Sequence, residues 1–259
     1  MWRRPRSVWL STTHPRGAAA DIPGVLSWLF RPQCAACGAA PADPADPFCA
    51  ACVATLDPVG PCCPRCAEST GERAVVCARC VRDPLPVEAV ASAWRFGGAL
   101  ASAIRRLKFT GASHVARTIA PLWAPVLGAA IAAVASAGDR ADAAPLVVPV
   151  PLHWRRRAAR GYDHAWLLAV HACGRAGMPA PVAALRRVRA AAPQSTLTAA
   201  QRARNLRGAF AVRDPRAVAG RAVVLVDDVA TTCATLAAAA APLVRAGATR
   251  VLAVTVART

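Results

Sequence analysis

Asp227 and Asp228 stand side by side in VVLVDDVATTCAT, the stretch from Val223 to Thr235. An apolar run that closes on acids reads as a buried parallel strand. Here it would span Ala222–Val226 and deliver two carboxylates to the rim where such sheets bind ligands. The residues that follow, ATTCAT, are small and lead into a helical stretch. Their backbone N–H groups and hydroxyls therefore face a helix N-terminus, an arrangement that receives phosphate. Carboxylates accept hydrogen bonds from sugar hydroxyls, so a ribose 5-phosphate group satisfies both halves of the stretch. An apolar strand ending in acid also occurs in P-loop nucleotide hydrolases. Those need a G-x-x-x-x-G-K-[ST] loop, and the single lysine of this chain, Lys108, lies in RRLKFTG, which excludes that chemistry.

A second set of reactive residues lies near the front of the chain. Nine of the eleven cysteines fall between Cys34 and Cys80. Eight of them form C-x-x-C pairs: Cys34 with Cys37, Cys49 with Cys52, Cys63 with Cys66, and Cys77 with Cys80. Two such pairs converging on one ion give tetrahedral thiolate coordination of zinc, and Gly38 suits the turn after Cys37. One or two ions are expected. Their role is structural, because an all-cysteine shell leaves no open position for chemistry. Metal would stabilise a segment too short and too poor in apolar residues to fold unaided. The spacing leaves open whether the pairs combine in sequence or interleave, and Cys62, next to Cys63, is an alternative ligand.

The elements that must position these groups follow from periodicity. Val87–Trp94 reads as a strand and Gly97–Phe109 as a helix ending in Arg105, Arg106 and Lys108. His114–Ala137 reads as one long alanine-rich helix. LVVPVPL, Leu146–Leu152, is a buried strand stopped by prolines, followed by an arginine-dense loop in HWRRRAARGYDHA and a helix over Asp163–Arg175. Ala222–Val226 and Arg250–Val256 are β-branched runs without alternation, as in strands covered on both faces. The helix between them, Thr235–Ala246, ends at Gly247, a suitable C-cap. Strand–helix–strand of this length is a parallel crossover, so the fold class is α/β with a mostly parallel sheet and flanking helices. Four regions emerge: a basic leader at 1–33 expected to be disordered, the cysteine-rich region at 34–80, a proline-bounded linker at 81–86, and the α/β domain at 87–259.

Composition restricts the setting. The 259 residues suit one sizeable domain plus a small one. A net charge of +18, carried almost entirely by arginine, favours anionic partners such as phosphates or nucleic acid, although GC-rich coding also raises arginine. The N-terminal stretch has no long apolar core, which argues against a secretory signal. Thr118–Gly138 is uncharged but has alanine as its commonest residue and two prolines, so a buried helix is expected there rather than a membrane span. A cytoplasmic protein is expected.

VVLVDDVATTCAT resembles the phosphoribosyl pyrophosphate (PRPP) signature of type I phosphoribosyltransferases. RRLKFTG, VPVPLHWRRRAARGYDHA, RRVRAAAPQSTLTAAQRARNLRGAF, AGATRVLAVTVART and the cysteine-rich front together resemble the ComF/GntX family, from about Cys34 to Thr259. The resemblance implies a type I phosphoribosyltransferase-like domain behind a double zinc ribbon, and PRPP bound with magnesium. It implies a role in DNA uptake, natural transformation or the use of imported DNA. Asp227 and Asp228 would be the catalytic carboxylates on the ribose hydroxyls. Thr231, Thr232 and Thr235, with the backbone of Cys233 and Ala234, would bind the 5-phosphate. Arg155, Arg156, Arg157 and Arg160 would meet the pyrophosphate, whose oxygens match guanidinium forks. Residues 194–205 would form a loop over the site, with Gln194, Arg202 and Asn205 as weaker contacts. Two departures from the family pattern stand out. Cys233 replaces a glycine, and RGYDH replaces R-G-F-N-Q, so that Asp163 and His164 stand where an amide pair is usual; Asp163 would repel pyrophosphate unless it caps the helix that follows, the commoner use of aspartate there. A reading from a different class is an accessory protein without turnover, whose partners are single-stranded DNA or proteins of a competence machinery.

Overall fold

The structure is a computed structural model that describes residues 32–135, 144–189 and 205–259. Most of the leader therefore lies outside the described residues, as do Gln194 and Arg202. Its centre is a four-stranded parallel sheet of β1 (Val90–Arg95), β2 (Leu146–Pro149), β5 (Ala222–Ala230) and β6 (Arg250–Arg258), in the order β1-β6-β5-β2. A separate antiparallel pair, β3 (Leu185–Arg187) and β4 (Phe210–Val212), stands beside it.

Side chains on a strand alternate between faces, and here each face has its own core. Val224 and Val226 of β5, with Leu252 and Val254 of β6, pack among α3 (Gly98–Phe109), α4 (His114–Ile119), α5 (Ala124–Ala135) and α7 (His164–Arg175). Val223 and Leu225, with Val251 and Ala253, pack against α8 (Ala234–Arg245) and the β3–β4 pair. Burial on both faces explains why these strands carry unbroken β-branched runs.

Three expectations are corrected. Strand β5 does not stop at Val226 but continues through both aspartates to Ala230, because β6 extends equally far and pairs with it up to Ala230↔Arg258. The long helix over His114–Ala137 is broken into α4, a 3-10 turn at Ala120–Leu122 and α5, with a bend of 66°. Pro121 and Pro125 lack the N–H groups that a continuous helix would use. Each segment buries one face in the core, and among the described residues no single helix is long and apolar enough to cross a membrane. The arginine-dense stretch after β2 forms a further short helix, α6 (Trp154–Arg160), closed by Gly161 at φ 82°.

The cysteine-rich region carries two short helices, α1 (Ala50–Val53) and α2 (Ala78–Arg82), and packs directly on the sheet's two cores. Cys34, Ala35 and Phe48 belong to the core beside α3, whereas Cys63, Cys66, Ala67 and Cys80 belong to the one beside α8. Arg106 of α3 donates to the carbonyls of Cys34 and Ala35 at 3.0 and 3.1 Å. The hydroxyl of Thr55 accepts from Ala99 N at the start of α3. Gly98 sits at φ +46°, and a Cβ there would lie 2.5 Å from the Thr55 carbonyl oxygen, so a side chain would push the two regions apart. Phe48 is 1 % exposed. Phe48→Ala should destabilise the α/β domain itself by about 3–5 kcal/mol; denaturant unfolding followed by the fluorescence of the buried Trp123 measures it.

Candidate functional site: an acidic pair, its cations and a helix-opening loop

Asp227 and Asp228 are 9 % and 3 % exposed near the carboxyl end of β5. Alternation along the strand turns Asp228 toward α3 and α7, and a basic side chain from each helix meets it. Lys108, at the end of α3, forms an ion pair with Asp228 Oδ2, and His164 Nε2, in the first turn of α7, lies 3.5 Å from the same oxygen. Arg160 of α6 hydrogen-bonds His164 Nδ1 at 2.9 Å, which extends the chain of basic groups. Burial works against ionisation of Asp228, but Lys108 and His164 outweigh it and hold this carboxyl well below the usual range. Asp227 is different. Burial, reinforced by the charge of Asp228, pushes it up to about 7. One acid is thus firmly ionised while its neighbour holds a proton near neutrality, the usual outcome when two buried carboxyls share a site. Oxygens of both aspartates and a nitrogen of His164 lie within 4.8 Å of one another, close enough to share a cation.

The loop after β5 takes the form that the sequence suggested. Residues 231–233 bend, and α8 begins at Ala234. Thr231 is exposed, Thr232, Ala234 and Thr235 are half-buried, and Cys233 is 2 % exposed. The Thr232 hydroxyl accepts from Ala234 N at 3.4 Å. Cys233 has φ 58° and ψ 10°, the left-handed conformation that glycine adopts freely and other residues hold at a cost of about 1–3 kcal/mol. The backbone therefore keeps the shape that a glycine would give, with a cysteine in place.

The four arginines of α6 diverge. Arg156 and Arg160, four residues apart, share a helix face. Arg160 reaches His164, while Arg156 interacts with Arg187 of β3, which also feels the charge of Asp227. Arg155 lies over the ring of its neighbour Trp154 at 5.2 Å. Arg157 lines a separate cleft of about 350 Å³ between the α6–α7 turn and the β3–β4 pair, with Trp166 and Arg213. Asp163 does not point a free charge at the site. Its Oδ1 caps α7 by accepting from Ala165 N and Trp166 N, and its Oδ2 accepts from Leu152 N at 2.8 Å. Asn205 stands at the turn before β4, half-buried. Sequence reasoning did not assign Lys108, His164 or Arg187 to the site. The available signals were a lone lysine in a chain that otherwise uses arginine and the departure at His164 in RGYDH.

The cysteines gather into two clusters that pair in sequence: Cys34, Cys37, Cys49 and Cys52, then Cys63, Cys66, Cys77 and Cys80. Cys62 stands outside both. In each set the four sulfurs lie within 4.8 Å of one another. Burial opposes ionisation of Cys34 and Cys63, yet backbone N–H donors lower them to about 6 and about 7. Burial and the crowded neighbouring sulfurs push Cys52 up to about 12 and raise Cys80 as well. Four thiolates become compatible at such a separation when a divalent cation neutralises them, so both clusters fit structural zinc.

Because Asp227 keeps a proton in the folded chain that the unfolded chain has lost, its burial weakens stability as pH rises from about 4 to about 7. The gap in melting temperature between Asp227→Asn and the native protein should therefore widen in favour of Asn from about pH 5 to about pH 7 and then level off. Thermal denaturation across that range measures it.

Comparison with known proteins agrees with this organisation. Residues 25–81 match the double zinc ribbon domain family. The DNA utilization protein YhgH of Salmonella typhi is 34% identical over 234 residues, covering 89% of this chain and 95% of that protein. The protein of the same name from Salmonella typhimurium is 33% identical over the same length, and that from Escherichia coli K12 is 35% identical over 176 residues, 68% of this chain and 74% of the relative. With that coverage across both the cysteine clusters and the α/β sheet, the chain belongs to the family of the DNA utilization protein YhgH.

Proposed function

We propose that this chain is a cytoplasmic, zinc-stabilised protein that binds PRPP with magnesium and transfers its phosphoribosyl group, in the service of using imported DNA. The observation that carries the reading is the juxtaposition of a buried, half-ionised acid pair with a loop that opens α8. Asp227 and Asp228 hold the ribose diol, and the N–H groups and hydroxyls of Thr231–Thr235 receive the 5-phosphate. Magnesium supplies charge neutralisation for the pyrophosphate. His164 and the two carboxylates are the residues that would hold such a cation on the protein side. Arg156 and Arg160, on one face of α6, stabilise negative charge as it develops on the departing pyrophosphate. Lys108 neutralises Asp228 until the cation and diol arrive. The resemblance to type I phosphoribosyltransferases and the family relationship support this reading.

Magnesium and PRPP together should raise the melting temperature, by about 2.7 kcal/mol of stabilisation at a hundredfold excess over Kd. The shift should vanish in the Asp227→Asn/Asp228→Asn double variant. Absence of a shift in the native protein would refute PRPP binding.

A second reading, binding of single-stranded DNA, is favoured by two aromatics. Phe109 and Trp154 are 76 % and 64 % exposed, and Arg160 and Arg155 lie over their rings at 5.7 and 5.2 Å. Exposed rings flanked by guanidinium groups are the elements of a base-stacking platform, worth about 1–3 kcal/mol per base. Affinity for an oligothymidylate should fall steeply with salt. Phe109→Ala/Trp154→Ala should weaken it by about tenfold or more and leave the PRPP shift in place. Equal affinity in the double variant would remove this surface from consideration.

A further inference from the structure

The strained turn at Cys233 is held from outside its own domain. Arg79 lies between Cys77 and Cys80, two residues of the second cysteine cluster, on the five-residue helix α2. Its Nη1 donates to the carbonyl oxygen of Thr232 at 2.6 Å, across 153 positions of sequence. The Cys233 thiol lies in the same seam and donates to the carbonyl oxygen of Cys66, a residue of the same cluster, at 3.8 Å. Arg258, 4 % exposed, adds a third tie: Nε donates to Cys66 O and Nη1 to Ala230 O, both at 3.0 Å, while Nη2 pairs with Glu68. The Arg79 guanidinium also interacts with the sulfurs of Cys66 and Cys233. Left-handed backbone at a residue with a side chain persists only where the surroundings fix it. Here those surroundings belong to the second cysteine cluster.

We propose that Arg79 is a positioning residue that locks the Thr231–Thr235 loop to the Cys63–Cys66–Cys77–Cys80 cluster, so that metal at this cluster sets the loop's conformation. A C-x-x-C turn is rigid when its thiolates share an ion. Because α2 is built on such a turn, the ion fixes the direction of the Arg79 guanidinium and, through it, the Thr232 carbonyl. The thiol at position 233 then has a use that glycine lacks: it closes the seam from the loop side. Among the described residues, the first cluster, packed against α3 on the opposite face of the sheet, shows no such link to the loop. The ligand consequence rests on the PRPP reading given above, but the coupling itself does not.

The test uses the full-length, zinc-loaded chain. Alkylation by iodoacetamide is followed site by site by mass spectrometry at Cys233 and at Cys173. Cys173 lies in the core of α7, 1 % exposed and in neither cluster, so it reports general opening. Arg79→Met keeps the aliphatic stem and removes the charged hydrogen bond. Cys233 labelling should rise by about tenfold or more, with Cys173 labelling and zinc content unchanged, and Arg79→Lys should fall between. Cys80→Ser, which disables the second cluster, should expose Cys233 in the same way, while Cys37→Ser in the first cluster should not. Unchanged Cys233 labelling in Arg79→Met, or a parallel rise at Cys173, would overturn the proposal. Magnesium–PRPP melting shifts on the same samples separate the two readings. A shift in the native protein that weakens in Arg79→Met supports the coupling at the ligand level. No shift even in the native protein, together with selective exposure of Cys233, leaves the coupling standing and rejects PRPP as ligand.

Discussion

Two adjacent carboxylates buried at the end of a central strand cannot both ionise without cations close by. Much of the structure around β5 answers that constraint. Lys108 comes from the end of α3 and His164 from the start of α7, and both meet Asp228. Arg160 from α6 reaches His164, while Arg187 from β3 lies within electrostatic reach of Asp227. Four elements distant in sequence thus converge on one strand end. The result is a site with one fixed negative charge and one proton held near neutrality, surrounded by bases. Such a site is poor at stabilising the empty fold and well arranged for a ligand that brings both hydroxyls and anions.

The doubly covered sheet explains why the cysteine clusters sit where they do. A parallel sheet must be covered on both faces, and here each cluster contributes to one of the two cores. Phe48 and Cys34 close the α3 side, and Cys63, Cys66 and Cys80 close the α8 side. Zinc at these clusters would therefore stabilise more than the ribbons themselves. On the α8 side the cysteine-rich region also meets the loop, through Arg79 to Thr232 and the Cys66 carbonyl to Cys233.

Asp163 and Cys233, two of the residues that depart from the pattern implied by the resemblance, are each accounted for by local physics. Asp163 uses both oxygens on backbone N–H groups, so its charge is spent on capping α7 and anchoring Leu152. Cys233 preserves the left-handed turn of a glycine and sends its thiol into the seam with the second cluster. Neither substitution changes the shape of the backbone that would meet an anion.

The amino-acid sequence by itself determined the α/β class, the strand that leads to Asp227 and Asp228, the helix-opening loop and the four C-x-x-C pairs, whereas their grouping in sequence into two sets of four came from the fold. These follow from local signals: apolar runs, C-x-x-C spacing and small residues before a helix. It also suggested Asp163 as a cap, because capping needs only the residue and its next three neighbours. Tertiary structure decided the rest. The length of β5 depends on β6, and the break between α4 and α5 comes from prolines whose effect composition alone did not reveal. Which α6 arginines face the acids depends on the helical phase of a segment that reads as a loop. The partnership of Lys108 and His164 with Asp228 joins residues 120 and 64 positions from it in sequence, and no periodicity encodes such a meeting. The hold of Arg79 on Thr232 is longer still. Local chemistry fixes what each residue can do, but the charge that a buried acid requires is supplied only when the chain has folded around it.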